Sequence, residues 1–180
     1  ITFSAATKAV TYTGGTGVDT IVAANALNNV INLGGGTSAN TVTGGTGNNT
    51  ITSTSTGTDT VTAGTMSGNN TVNLGDGTNS FTATSGNNTY TGGTGIDTVI
   101  VTTGANTINV GGGTTANSVT VGAAAGLNTV TTTSTGVDTL VISAVQTTGG
   151  YYTSLTGWAK GDKIDFTAVD ATGTTEATLG

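Results

Sequence analysis

Residues 14–22 read GGTGVDTIV and residues 92–100 read GGTGIDTVI. Both fit one pattern, G-G-x-G-x-D-x-U-x, in which U is a large apolar residue. The second half of the pattern recurs far more widely than its glycines. In one register, an Asp or Asn followed two positions later by an apolar residue recurs thirteen times between Asp19 and Leu140. The Asp/Asn positions are Asp19, Asn29, Asn40, Asn49, Asp59, Asn70, Asn79, Asn88, Asp97, Asn106, Asn117, Asn128 and Asp138. Their apolar partners run from Ile21 and Ile31 to Val130 and Leu140, and successive copies lie nine, ten or eleven residues apart. No apolar set recurs at i, i+3, i+4, i+7, so the period excludes a helix. Short, largely β-branched strands remain, separated by Gly-rich turns where φ > 0 and close backbone approach are needed. Two half-turns make one rung of about 18 residues in a stacked repeat. The expected fold is all-β: a right-handed parallel β-roll or β-helix solenoid over 1–141, ~31 Å tall at ~4.8 Å per rung.

The longer steps lengthen a turn or a strand without breaking the column. Leu33, Leu74 and Val110 follow their apolar partners by two and are expected to add a second inward contact. Val10 and Tyr12 alternate as an entering strand does. Residues 14–61 align with 92–140 at an offset of 77 to 79, with GGGTSANTV matched by GGGTTANSV and STSTGTDT by TTSTGVDT. That offset reads as an internal duplication. From about Ile142 the register is lost, and the chain then carries its Trp (Trp158), the pair Tyr151 and Tyr152, and two of its three Lys. Residues 142–180 are therefore expected to form a separate cap over the last rung, as terminal repeats do.

Composition narrows the chemistry. The chain has 31 Gly, no Pro, no Cys, no His, 7% charged and 4% aromatic residues, and a net charge of −6. So little bulk cannot fill a wide core, and regular spacing has no purpose in a disordered chain. With three Lys and no Arg there is no basic patch to neutralise phosphates, which makes nucleic acid an unfavourable partner. No apolar run approaches the ~18 residues that a membrane-spanning helix needs. The chain opens at Ile1 rather than Met and is expected to be a fragment of something longer. Without His or Cys no His-based triad or thiol nucleophile can form, the Ser residues lack a nucleophile elbow, and Glu176 is isolated. No enzyme active site is expected within these residues.

Clustered carboxylates point to cations instead. Each half-turn buries only one or two apolar side chains, too little against the entropy of ordering its backbone. Ladder hydrogen bonds must contribute, and an ion held only by the folded turns would add stability directly. Calcium suits such turns, since it takes six to eight oxygens and mixes carboxylates with backbone carbonyls. Since half-turns alternate, every second copy shares an edge. One edge reads Asp19, Asn40, Asp59, Asn79, Asp97, Asn117, Asp138, and the other is Asn throughout. Asp76, in the turn before Asn79, adds a fifth acid to the first edge. The Asn edge is expected to carry stacked amide ladders. The alternative reading is that these Asp residues cap turns as Asx motifs and bind nothing.

On these motifs the chain resembles the RTX (repeats-in-toxin) nonapeptide family. That resemblance implies calcium sandwiched between consecutive turns on one edge of the roll. The matching acids are Asp19, Asp59, Asp97 and Asp138, with Asp76 beside them and carbonyls from Gly15 and Thr16 and from Gly93 and Thr94. Only four of thirteen copies keep the family's Asp, which implies about one full carboxylate charge per ion and weaker binding than in Asp-rich rolls. The run GWAKGDKIDFTAVD (157–170) is similar to the segment that closes RTX domains in type I-secreted proteins. It implies an uncleaved C-terminal export signal, contact with the type I secretion machinery and an extracellular location. A plain β-hairpin cap is the alternative, and Asp162 and Asp165 are candidates for an end ion.

The resemblance is greatest to Thr-, Gly-, Asn- and Ala-rich, Cys-free S-layer proteins, which implies a calcium-stabilised subunit that self-associates in a lattice on the cell surface. An RTX adhesin or ice-binding module is a second reading, prompted by Thr-x-Thr strands such as Thr41–Thr43, Thr50–Thr52 and Thr60–Thr62. Val22, Asn32, Asn73, Ile100 and Asn109 interrupt that Thr array. A third reading is the secretion tail of an exported hydrolase.

Overall fold

The computed structural model describes residues 1–3, 5–62, 67–122, 126–144 and 152–166. They form sixteen strands in two eight-stranded, all-parallel sheets, and consecutive strands alternate between the sheets. The odd sheet runs β1 (Thr11–Thr13), β3 (Val30–Gly36), β5 (Thr50–Ser55), β7 (Thr71–Gly75), β9 (Thr89–Gly92), β11 (Thr107–Gly113), β13 (Asn128–Ser134) and β15 (Thr153–Thr156). The even sheet runs β2 (Thr20–Ala23), β4 (Asn40–Gly44), β6 (Asp59–Thr62), β8 (Thr78–Ala83), β10 (Ile96–Val101), β12 (Ser118–Val121), β14 (Thr139–Ile142) and β16 (Lys163–Asp165). This is the expected parallel solenoid, with no helix among the described residues.

The period-two pattern sets the faces. Residue U of each copy points inward, and the residues on either side, most often Thr, point out. Tyr12, Ile31, Ile51, Val72, Tyr90, Ile108, Val130 and Leu155 fall in one register row of the odd sheet. Ile21, Val42, Val61, Phe81, Val99, Val119, Leu140 and Ile164 form the facing row of the even sheet. The two rows are the core. Phe81 and Tyr90 stack across it with centroids 5.6 Å apart and planes 6° from parallel. Leu33, Leu74 and Val110 are buried as a second inward position.

Rungs are longer than the nonapeptide arithmetic gives. Ladder partners lie between 18 and 22 residues apart over most of the column and 24 apart at the last step. Part of the extra length sits in β-bulges after Asn32, Asn73 and Asn109. There each Asn Oδ1 accepts the backbone N–H two residues on, at 2.9, 3.2 and 2.9 Å, in an Asx turn. Those Asn residues interrupt the outward Thr rows because the chain needs a local acceptor where it turns. Gly34 follows with φ 76°, and a Cβ there would stand 2.2 Å from the Gly15 carbonyl oxygen of the rung below. Only glycine fits that turn.

Among the described residues the column's own pattern continues to both ends. At the start, Thr2 bridges Val22, and Phe3 lies 6.5 Å from Tyr12, centroid to centroid. At the far end β15 and β16 pair in parallel with β13 and β14, so the described part of 142–180 adds one more rung. The register lost near residue 142 resumes at Leu155 and Ile164. Trp158 packs against the core above them. Tyr151, Glu176 and the secretion-like run beyond Phe166 lie outside the described residues.

Candidate functional site

Each strand entry holds an Asx residue whose Oδ1 accepts from the rung below, and this builds a ladder along each edge. On the Asn edge the ladder is complete. Asn29, Asn49, Asn70, Asn88 and Asn106 each donate Nδ2 to Oδ1 of the Asn above, at 2.9, 3.1, 2.9, 3.0 and 3.0 Å. Their backbone N–H groups donate to the same oxygens at 3.0 to 3.3 Å. Nδ2 also reaches a carbonyl of its own turn, as from Asn49 to Gly47 at 2.8 Å and from Asn70 to Gly68 at 2.7 Å. The expected amide ladder is present.

The Asp edge uses the same scaffold with a defect at every second rung. Backbone N–H groups still climb the column, from Asp19 to Asn40 Oδ1 at 2.9 Å, from Asp97 to Asn117 Oδ1 at 2.8 Å and from Asn117 to Asp138 Oδ1 at 2.7 Å. Asn40 and Asn79 donate Nδ2 to Oδ1 of Asp59 and Asp97 at 2.8 and 3.2 Å. A carboxylate has no donor to pass on, so its second oxygen is stranded. Oδ2 of Asp19, Asp59 and Asp97 is buried with no hydrogen-bond partner, and so is Nδ2 of Asn117. Asp138 escapes because the Thr132 hydroxyl donates to its Oδ2.

The carboxylates turn inward, toward the preceding odd strand. A Cβ on Gly14 would stand 2.1 Å from Asp19 Oδ2, and one on Gly92 would stand 1.8 Å from Asp97 Oδ2. In these two copies a side chain on the first Gly of the nonapeptide would push aside the carboxylate five residues later. Two tyrosines meet these acids from the core. The Tyr12 hydroxyl donates to Asp19 Oδ1 at 2.6 Å, and that bond, with some burial, raises its pKa. Tyr90 is raised much further, first by burial and then by the Asp97 charge. Burial likewise pushes the Asp97 carboxyl up to about 6, against the lowering effect of Tyr90 and Asn79 and with help from the Asp76 charge.

Of the expected carbonyl ligands, all four serve the next rung as acceptors. Gly15 O accepts Gly35 N at 3.1 Å and Gly93 O accepts Gly112 N at 3.2 Å. Thr16 O accepts Ser38 Oγ at 2.8 Å, and Thr94 O accepts Thr115 Oγ1 at 3.4 Å. Asp76 meets Thr94 of the next rung through that residue's donors rather than its carbonyl: its Oδ1 accepts Thr94 N at 2.9 Å and Thr94 Oγ1 at 3.0 Å. Asp19, Asp59, Asp97 and Asp138 stand two rungs apart, ~10 Å at the usual strand spacing. No group of three acids suited to a metal forms among the described residues. The donor set is therefore hard oxygen with about one carboxylate per position. Each stranded Oδ2 is a buried charge that costs free energy until something neutralises it.

Sequence reasoning missed three features here. Asp162 tops the Asp ladder, with Oδ1 accepting Asp138 N at 2.9 Å and Oδ2 accepting Ala159 N at 2.7 Å. Its signal was the triplet Asp162-Lys163-Ile164, another Asp with an apolar residue two on. Tyr12 and Tyr90 were legible only as apolar positions, although TYTGGTG precedes both acids. The unpaired Nδ2 of Asn117 has no sequence signal.

The Asp97 shift has a testable sign. Its carboxyl titrates near 6 when folded and near ~3.9 when unfolded, so the folded chain holds the extra proton between those values. That contribution is fully present below about pH 4 and is lost as pH rises through about 6. Metal-free protein is expected to melt at higher temperature at pH 5 than at pH 7.5, and Asp97→Asn is expected to flatten the difference. Thermal melts in chelator across that range measure it, and a flat wild-type profile would contradict burial of the charge.

No protein-family model matches the chain, and no curated protein or solved structure is significantly similar to it.

Proposed function

We propose that this chain is a structural, non-enzymatic surface protein: a calcium-stabilised S-layer subunit fragment, exported by type I secretion and self-associating in a lattice outside the cell. The observation that carries the reading is the pair of buried, partnerless Oδ2 atoms at Asp19 and Asp59, whereas Asp97 has the Tyr90 hydroxyl beside it. A divalent cation at the Asp edge neutralises them, with Asp76, Gly15, Thr16, Gly93, Thr94 and Asp138 as further oxygen sources. Stacked rungs explain why export unfolded and assembly with calcium outside suit this chain. Every rung needs its neighbour, and the ion joins neighbours.

Calcium is expected to raise the melting temperature and strengthen the strand signal in circular dichroism relative to EGTA. A single site at a hundred times its Kd adds ~2.7 kcal/mol. Sheets in electron micrographs of the calcium sample, absent in EGTA, are expected from the same preparation. Identical melts with and without calcium would sink the metal reading.

An adhesin or ice-binding module remains the second reading, favoured by one observation. Thr41, Thr60, Ser80, Thr98, Ser118 and Thr139 stand in one outward row of the even sheet. Ice recrystallisation in the presence of the fragment distinguishes it. If the parent chain carries a catalytic domain upstream, the third reading, a hydrolase secretion tail, replaces both.

A further inference from the structure

Beside the buried Asn ladder runs a second column of asparagines, one residue earlier and exposed: Asn28, Asn48, Asn69 and Asn87. Each Oδ1 accepts the backbone N–H of the next rung. The bonds run from Asn48 to Asn28 at 2.8 Å, Asn69 to Asn48 at 2.7 Å, Asn87 to Asn69 at 2.8 Å and Ala105 to Asn87 at 2.8 Å. The carbonyl half of each amide is fixed against the column, which leaves Nδ2 for solvent.

Three of the four open the triplet Asn-x-Thr: Asn48-Asn49-Thr50, Asn69-Asn70-Thr71 and Asn87-Asn88-Thr89. That triplet is the acceptor of N-linked glycosylation, where x is not Pro. No other Asn in the chain opens one, so all three acceptors fall on consecutive rungs of one exposed column and none on the buried ladders. Thr50, Thr71 and Thr89 are themselves exposed, each the first residue of its strand.

We propose that Asn48, Asn69 and Asn87 are sites of N-glycosylation, forming a sugar-bearing ridge along the Asn edge. The donor class is a diphosphate-activated sugar, nucleotide- or lipid-linked. The bond from Nδ2 to the anomeric carbon forms as that carbon's bond to phosphate oxygen breaks. The diphosphate leaves with the electron pair, and the amide gives up one proton to the transferase. Oδ1 keeps its lone pairs, so the ladder bond that holds each Asn survives. Rungs ~4.8 Å apart bring sugars on neighbouring rungs into contact, which favours single compact sugars over branched chains. The inference goes beyond the structural reading and does not depend on calcium.

The test is peptide mapping by mass spectrometry of the protein recovered from its source cells, with fragmentation that keeps sugars attached. The expected result is a sugar increment on the peptides holding Asn48, Asn69 and Asn87. Single hexoses indicate a nucleotide-linked donor, and longer chains a lipid-linked one. Thr50→Ala, Thr71→Ala and Thr89→Ala each retain the Asn and its ladder bond and are each expected to abolish modification at their own site. Circular dichroism of these variants confirms that the column stands. Bare asparagines in the wild type, or sugar that persists on the Ala variants, overturns the proposal whether or not calcium binds.

Discussion

Replacing Asn70 by leucine is expected to cost about 3–6 kcal/mol, enough to unfold the column or leave it marginal. Leucine nearly matches the volume but has no polar atoms. Asn49 would lose the acceptor for both its N–H and its Nδ2, which now bond Asn70 Oδ1 at 3.0 and 3.1 Å. Gly68 O and Asn88 Oδ1 would lose a donor at 2.7 and 2.9 Å. All of this happens at a position about 1% exposed, where water cannot substitute. A buried donor without an acceptor costs ~1–3 kcal/mol. Denaturant titration followed by circular dichroism measures the loss, and Thr41→Ala on the exposed face, expected within ~0.5 kcal/mol of wild type, is the control. A loss for Asn70→Leu no larger than the control's would mean that the ladder holds nothing together.

Phe81→Ala is expected to be of similar size, ~3–5 kcal/mol. Phe81 and Tyr90 are the two largest fully buried side chains among the described residues, and they stack on each other between the sheets. Removing one ring leaves a cavity that this architecture closes poorly, because the ladders fix the spacing between rungs. Phe81→Leu keeps most of the volume and is expected to recover all but ~1–2 kcal/mol. Equal losses for Ala and Leu would place the defect in ring stacking rather than in volume.

The fold was legible to a great extent because its signal is periodic. Two sheets, the inward rows, the alternation of edges and the second inward contact at Leu33, Leu74 and Val110 all follow from counting between Asx residues. Counting gave rungs of about 18 residues because nine is the commonest step, whereas bulges at Asn32, Asn73 and Asn109 lengthen several of them. It also lost the last rung. Residues 145–151 intervene there, and Thr153 takes the place of the ladder Asn opposite Asn128.

The Asp edge was legible in residue identity and less so in direction. Sequence placed Asp19 and Asp97 on one edge but could not show that their carboxylates turn into the roll toward Gly14 and Gly92. Nor could it show that a tyrosine seven residues earlier would meet each of them. That contact is made across a corner, and its geometry depends on the turn between two sheets rather than on either strand. Asp76 was easier to place, since its partner Thr94 lies one rung away in the same kind of exposed turn.

Since each rung touches only the rungs on either side, the column behaves as a linear array in which stability accumulates neighbour by neighbour. Its length is a free variable, which is how the stretch 14–61 could recur 77 to 79 residues on, at 92–140, without redesign of any core. Damage has the matching property. A fault near either tip shortens the array slightly, whereas one at the middle divides it into two halves that must each stand alone.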